Sequence, residues 1–195
     1  VVVSGYHAMN DALLLRYDNQ GNIDWSHFDG SGGALGPLSV AGDGQIWAVR
    51  AAPRQIESYA GDGTPGWTSA MLEDADHVDI AADADGNVFL LSAAKDSSAW
   101  SLSKYDNAGE LLWSVDHDDA DVLEIAGGLA VLPGGGVVVA GGTNGALGEG
   151  DAILAFFDGA GDPLADDIVL DGASDMDFDV FFDVEDELLL IRHND

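Results

Sequence analysis

Apolar residues along this chain come in short, nearly unbroken runs, Val1 to Val3, Leu13 to Leu15, Val137 to Val139 and Leu188 to Ile191, bounded by Asp, Asn, Gly and other polar residues. A strand with one wet face would alternate apolar and polar residues, so these runs predict strands covered on both faces. Between the runs the punctuation is uniform. Leu13-Leu14-Leu15-Arg16-Tyr17 leads into Asp18-Asn19-Gln20-Gly21 and then a segment carrying Trp25, which reads as strand, tight turn, strand. Leu38 to Trp47 around Asp43-Gly44, Val78 to Leu91 around Asp85-Gly86-Asn87, and Leu129 to Val139 around Gly134-Gly135-Gly136 read the same way, with a degenerate copy from Phe178 to Ile191 around Glu185-Asp186. β-Branched and aromatic strands with turns every few residues exclude a helical solenoid.

These hairpins keep a register. An aromatic is followed by glycine four places on and, in three copies of four, by tryptophan eight places on: Tyr17/Gly21/Trp25, Tyr59/Gly63/Trp67, Tyr105/Gly109/Trp113 and Phe157/Gly161/Ala165. One structural unit is therefore written four times. The aromatics stand 42, 46 and 52 residues apart, the range of a four-stranded propeller blade, whereas a β-sandwich has no need of the same turn at fixed intervals. The predicted fold is all-β and β-propeller-like, about four four-stranded blades in a single domain over 1–195. Its units fall at approximately 1–36, 37–77, 78–121 and 122–174, with a partial one at 175–195. Val1 to Ser4 matches Val137 to Ala140, the second strand of a unit, and Leu188 to Arg192 matches it too. Both ends want the same slot. The readings are a segment cut from a longer array, a closed ring with an overlapping tail, or a subunit whose terminal strand pairs with a neighbouring molecule.

In Lys104-Tyr105-Asp106-Asn107-Ala108-Gly109-Glu110-Leu111-Leu112-Trp113 and Ile80-Ala81-Ala82-Asp83-Ala84-Asp85-Gly86-Asn87-Val88-Phe89, the chain resembles the bacterial β-propeller repeats of the seven-bladed type, related in pattern to the pyrroloquinoline-quinone-like repeats. The resemblance covers nearly the whole chain and implies the fold. It is almost silent about function, because such repeats serve binding, scaffolding and enzymes alike. Four units stand where the family name implies seven, so the chain is a small ring or part of a larger propeller. The quinone cofactor is not implied, since its binding depends on residues outside the repeat signature.

Charge narrows the partners. Thirty-six Asp and Glu against six Lys and Arg give a formal charge of −30, which repels phosphate backbones and anionic headgroups and leaves cations, basic proteins and neutral glycans. Nucleic acid and membrane insertion are therefore not expected. The acid is mostly Asp, which suits turns, and a dense anionic surface also fits adaptation to high salt. Without cysteine there is no disulfide framework and no thiol nucleophile. The chain opens in mid-pattern without Met or signal peptide, as a mature or trimmed segment does. Ile125 to Gly148 carries no charge, but Pro133 and the glycine run break it into two strands and a turn rather than a membrane span.

Short uniform turns belong to one propeller face and the longer, variable loops to the other, where function should concentrate. The best chemical lead is the set of acidic inter-blade loops. Asp74 and Asp76, then Asp116, Asp118, Asp119 and Asp121, then Asp175, Asp177 and Asp179, place carboxylates at close spacing, a way to converge oxygens on a hard cation such as Ca²⁺. No segment has the EF-hand pattern, and solvated acidic loops need no metal. Asp83 to Asn87 looks like the start of a calcium loop but coincides with a hairpin turn. All five histidines, His7, His27, His77, His117 and His193, map to the loop face without the spacing of a compact metal motif. Trp25, Trp67 and Trp113 hold a fixed phase that speaks for packing between blades, while Trp47 and Trp100 lie off that register and are candidates for the surface.

No nucleophile elbow, phosphate loop, dinucleotide fingerprint or zinc-protease helix occurs. The expected function is a non-catalytic extracellular module, presenting an acidic loop face to a protein, a glycan or a cation. The alternatives are a surface-layer or filament subunit assembling by terminal strand exchange, and a secreted enzyme or its accessory domain.

Overall fold

A computed structural model of the chain describes residues 1–7, 11–30, 32–72, 75–94, 99–117, 124–143, 152–170, 178–183 and 188–193. The regular elements are strands. β1 (Val2–His7), β2 (Asp11–Tyr17) and β3 (Ile23–Asp29) form the first sheet, and β4 (Leu35–Val40), β5 (Ile46–Ala51), β6 (Arg54–Tyr59) and β7 (Pro65–Thr68) the second. The third consists of β8 (Asp76–Ala82), β9 (Val88–Ala93), β10 (Trp100–Tyr105) and β11 (Leu111–His117). The fourth is β12 (Glu124–Val131), β13 (Val137–Thr143), β14 (Ala152–Phe157) and β15 (Ile168–Leu170), followed by a hairpin of β16 (Phe178–Asp183) and β17 (Leu188–His193). Each sheet is an antiparallel meander in chain order. The first strands β4, β8, β12 and β16 pack on one another in succession, with β1 against β4, as blades around a hub do.

The apolar runs owe their form to this stacking. Ile46 to Arg50 and Val88 to Ser92 are buried at five consecutive positions, because each sheet is covered by a blade on either side. Core clusters accordingly straddle the seams: Ala12 and Leu14 of the first blade meet Leu35, Ile46, Ala48 and Tyr59 of the second. The uncharged stretch is β12, a turn and β13, as expected, and no helix among the described residues is long and apolar enough to cross a membrane. The overlap of the two ends is also present. The Tyr17 N–H donates to the Val1 carbonyl at 2.8 Å, just as Val137 stands opposite Phe157, so β1 is a second strand. β17 is one as well, paired to the first strand β16. Among the described strands no pairing joins β16 and β17 to the first sheet.

The aromatic, glycine and tryptophan register is the chemistry of the seams. A Cβ built on Gly63 would fall 2.8 Å from the Trp25 ring, one on Gly109 2.5 Å from Trp67, and one on Gly161 3.0 Å from Trp113. Each indole thus lies against the turn glycine of the next blade. The glycines have φ between +83° and +90°, so a side chain would be both strained and without room. Trp25 Nε1 donates to the Gly61 carbonyl at 2.9 Å, and Trp113 Nε1 to the Gly159 carbonyl at 3.2 Å. Asn107 replaces that glycine at the middle seam, and there Trp67 Nε1 is buried without a hydrogen-bond partner.

Burial of the tryptophans runs opposite to their register. The phased Trp25, Trp67 and Trp113 are half-buried at seam rims, whereas Trp47 and Trp100, candidates for the surface by pattern, are 0% and 3% exposed. Trp47 sits on the inward run of β5 among Val49, Ile56, Ile80, Val88 and Leu90 of two blades. Trp113→Ala should therefore cost about 2 kcal/mol in denaturant unfolding, against about 3–5 kcal/mol for Trp47→Ala.

Much of the acid is turn chemistry, as its Asp bias suggests. Asp18 Oδ1 accepts from the Gln20 and Asn22 N–H groups, at 2.9 and 2.8 Å, and Asp106 and Asp158 do the same in their turns. Asp83 accepts from the Asp85 and Asn87 N–H groups in the β8 to β9 turn, so its calcium-like sequence serves a hairpin. The Asn22 side-chain amide, then its backbone N–H, hold the Asp18 carboxyl below the usual aspartate range. Such a group adds stability above about pH 3.9, its unfolded value, and loses it as pH falls through the lower folded value. A carbon-13 NMR titration should find Asp18 titrating below the ordinary aspartate value and rising toward it in Asn22→Ala.

Candidate functional site

A meander of four strands puts its first and third turns on one face and its second turn, with the inter-blade connections, on the other. The structure separates the described candidate ligands across that second face. Asp76 opens the first strand β8, and Asp116 lies near the end of the fourth strand β11 of the same sheet, both exposed. In register, Asp116 stands opposite Ser101, Ser101 opposite Ser92, and Ser92 opposite His77. Three strand spacings, about 14 Å, therefore lie between them, too far to share one ion. Asp179 is on β16 opposite Arg192. Asp74, Asp118, Asp119, Asp121, Asp175 and Asp177 lie outside the described residues. Among the described residues no three of His, Asp and Glu converge as a metal cluster.

The histidines are likewise dispersed. His7 and His193 end β1 and β17. His77 Nδ1 is 2.9 Å from Ser92 Oγ. His117 stacks on Trp100 at 4.4 Å, with Nε2 3.2 Å from Asp167 Oδ2 across the seam to the fourth blade. His27 meets the Tyr59 ring edge-on at 5.3 Å.

That last contact belongs to the most concentrated polar chemistry among the described residues. It lies at the seam of the first two blades, where β3 and β5 run out toward the loop face. Arg50, 2% exposed, stands where the other blades have Gly5, Ser92 and Gly141, and Glu57 where they have Leu15, Ser103 and Ala155. Nε donates to Glu57 Oε1, while Nη2 donates to Glu57 Oε2 at 2.9 Å and to Asp29 Oδ2 at 2.6 Å. Nη1 donates to the Gly32 and Gly33 carbonyls at 2.8 and 3.3 Å. A guanidinium has five N–H groups, and here all five are used. Gly33 is required, because at φ +85° a Cβ would lie 2.1 Å from the Ala52 carbonyl oxygen.

Tyr59 completes the network, its hydroxyl donating to Glu57 Oε2 at 2.6 Å. Burial, then the bond to the Glu57 carboxylate, push its phenol well above the ordinary range, so it stays a donor. Burial works against the Arg50 charge, but Glu57 and Asp29 outweigh it and raise its pKa. Above the network opens a groove of about 370 Å³, bordered by His27, Phe28, Asp29, Glu57, Tyr59 and Thr68. Among the described residues the network joins two carboxylates to one guanidinium. Sequence reasoning passed over Arg50, Glu57 and Asp29. The available signal was the break in the repeat at positions 50 and 57, where a charge enters only one blade.

No family model matches the chain, and no curated protein matches it either. Solved structures do. Hydrazine synthase from Kuenenia stuttgartiensis matches with a TM-score of 0.63 and 12% identity over 89% of this chain and 46% of that one. A chain of a nidogen/laminin complex matches at 0.62 and 11% identity, over 97% and 69%. The WD40 domain of Neurospora crassa Pan2 matches at 0.57 and 10%, over 86% and 51%. The chain thus spans about half the length of two of these. At such identities the likeness shows fold alone. With the stacked meanders it defines the class: this is a β-propeller-type protein.

Proposed function

We propose that the chain is a non-catalytic, extracellular β-propeller module, with blades of the pyrroloquinoline-quinone-like repeat type, that binds a protein, glycan or cation on its acidic loop face. The observation that supports this most is the unequal use of acid on the two faces. On the short-turn face Asp18, Asp83, Asp106 and Asp158 hold backbone N–H groups. Asp76 and Asp116 lie toward the other face, at the start of β8 and near the end of β11, both exposed. In a chain of charge −30, that face favours positively charged or neutral ligands.

Binding of polylysine, read by calorimetry, tests the reading. Replacing Asp116, Asp118, Asp119 and Asp121 together by Asn should weaken it, while the same change at Asp43, Asp62, Asp85 and Asp106 should matter far less. Equal losses would remove the preference for the loop face. Melting in Ca²⁺ and in chelator tests the cation separately, since an ion bound only by the folded state raises the midpoint. Detection of the chain outside the cell tests location.

A second reading, assembly by strand pairing, is favoured by the edge of β1, which has a hydrogen-bonded neighbour on one side alone among the described strands. Light scattering in dilute buffer that finds only monomer removes it.

A further inference from the structure

Valence decides what the groove at the first seam can hold. Every N–H of Arg50 already has an acceptor, so a phosphate or carboxylate could take one only by breaking a buried ion pair. Glu57 is not used up. A carboxylate has about four lone-pair sites, and among the described residues Oε2 accepts from Arg50 Nη2 and the Tyr59 hydroxyl while Oε1 accepts from Arg50 Nε alone. The open position belongs to a side chain 14% exposed that borders the groove. Its charge is already matched by Arg50, and a buried ammonium would need a counter-charge of its own. A neutral donor needs none.

Two more hydrogen-bonding groups face the same space. Trp25, His27 and Asp29 alternate along β3 toward the second blade, as their contacts with Gly63, Tyr59 and Arg50 show. Neither ring nitrogen of His27 has a hydrogen bond among the described residues, and a neutral imidazole supplies one donor and one acceptor. Across the groove, Thr68 is exposed and stands opposite Glu57 in register, so the two side chains leave β7 and β6 on one side. Pro65, opposite Tyr59, shares that side and is exposed as well. Resting on the reading of this chain as a binding module, we infer that the groove of about 370 Å³ holds one neutral sugar unit of a glycan. One ring hydroxyl donates to Glu57 Oε1, its neighbours exchange hydrogen bonds with His27 and Thr68, and the C–H face of the ring lies on Pro65. Hydroxyls both donate and accept, which suits one acceptor flanked by two groups that do both. Arg50 and Tyr59 act as positioning residues for the Glu57 carboxylate.

The test is an amide NMR titration of the whole chain with the methyl glycosides of glucose, galactose, mannose and N-acetylglucosamine. Cyclohexanol, a ring of the same size with one hydroxyl, Nα-acetyl-lysine amide and inorganic phosphate serve as comparisons. At least one glycoside should give saturable shifts at 27, 57–59 and 65–68, and the comparisons none there. Thr68→Val, which keeps the shape, and His27→Phe, which keeps a ring against Tyr59, should each weaken binding about three- to tenfold, the loss of one hydrogen bond. Ser26→Ala removes a hydroxyl from the opposite face of β3 and should leave affinity within about twofold. Retained amide dispersion shows that the variants are folded.

Equal weakening by Thr68→Val, His27→Phe and Ser26→Ala would overturn the inference. So would cyclohexanol, the lysine amide or phosphate shifting the groove as strongly, or no glycoside shifting it at all. Glycoside shifts confined to 75–79 and 113–117 would overturn the groove and leave the module reading standing, which the polylysine calorimetry judges by itself.

Discussion

Gly109→Ala is expected to destabilise the fold by about 3 kcal/mol, whereas Gly21→Ala, the same substitution at the same place in the repeat, should cost about 1 kcal/mol. Both glycines are left-handed, φ +85° and +83°, and share the cost of putting a Cβ in that region, about 1 kcal/mol. Their surroundings differ. A Cβ on Gly109 would lie 2.5 Å from the Trp67 ring, while one on Gly21 meets nothing within 4 Å. The extra loss is the displacement of an indole wedged between two blades, an overpacking cost of about 1–3 kcal/mol. Urea unfolding of the two variants, compared at their midpoints, measures the difference. Equal losses would mean that the indole is not seated on the next blade's turn, and with it would go the physical account of the repeat.

Arg50→Met should cost about 3–5 kcal/mol, although the new side chain is apolar and of similar length, because Glu57 is left charged at 14% side-chain exposure without its main partner. The double variant Arg50→Met with Glu57→Gln should recover most of that loss. A neutral amide at position 57 can still accept from the Tyr59 hydroxyl, and no buried charge remains. Asp29→Asn alone should cost only about 1 kcal/mol, since that side chain is partly hydrated and an amide oxygen can still accept from the guanidinium. Thermal melts of the three variants check the ordering. If the double variant were no more stable than the single one, the cost would lie in lost packing of the arginine stem rather than in a stranded charge.

Much of the fold was legible because a propeller blade is assembled from local rules. The turn Asp18 to Gly21 is set by an aspartate that caps its own backbone and a glycine that tolerates positive φ, both readable at once. Leu13 to Leu15 and Val137 to Val139 announce strands covered twice, and the spacing of Tyr17, Tyr59, Tyr105 and Phe157 announces how many such units follow. Even the slot shared by β1 and β17 was visible, because a second strand carries the same text wherever it occurs.

The candidate site was far less legible. Asp76 and Asp116 look alike as members of acidic segments, yet the sheet places them on its first and fourth strands. Arg50 and Glu57 are seven positions apart and each unremarkable in sequence, while Asp29 belongs to another blade altogether. Trp47 and Trp100 show the same limit: their phase does not reveal that they point into the seams on either side of the third blade.

What the amino-acid order by itself determined is therefore the unit: strand, capped turn, strand, with one aromatic and one glycine in fixed phase, since each depends on residues within a few positions of one another. What only the tertiary structure decided is what meets across a seam, an indole on Gly109 or a guanidinium between Glu57 and Asp29. Those contacts join residues from different blades, and their energies come from burial and from pairing of charge, which exist only once the blades have stacked.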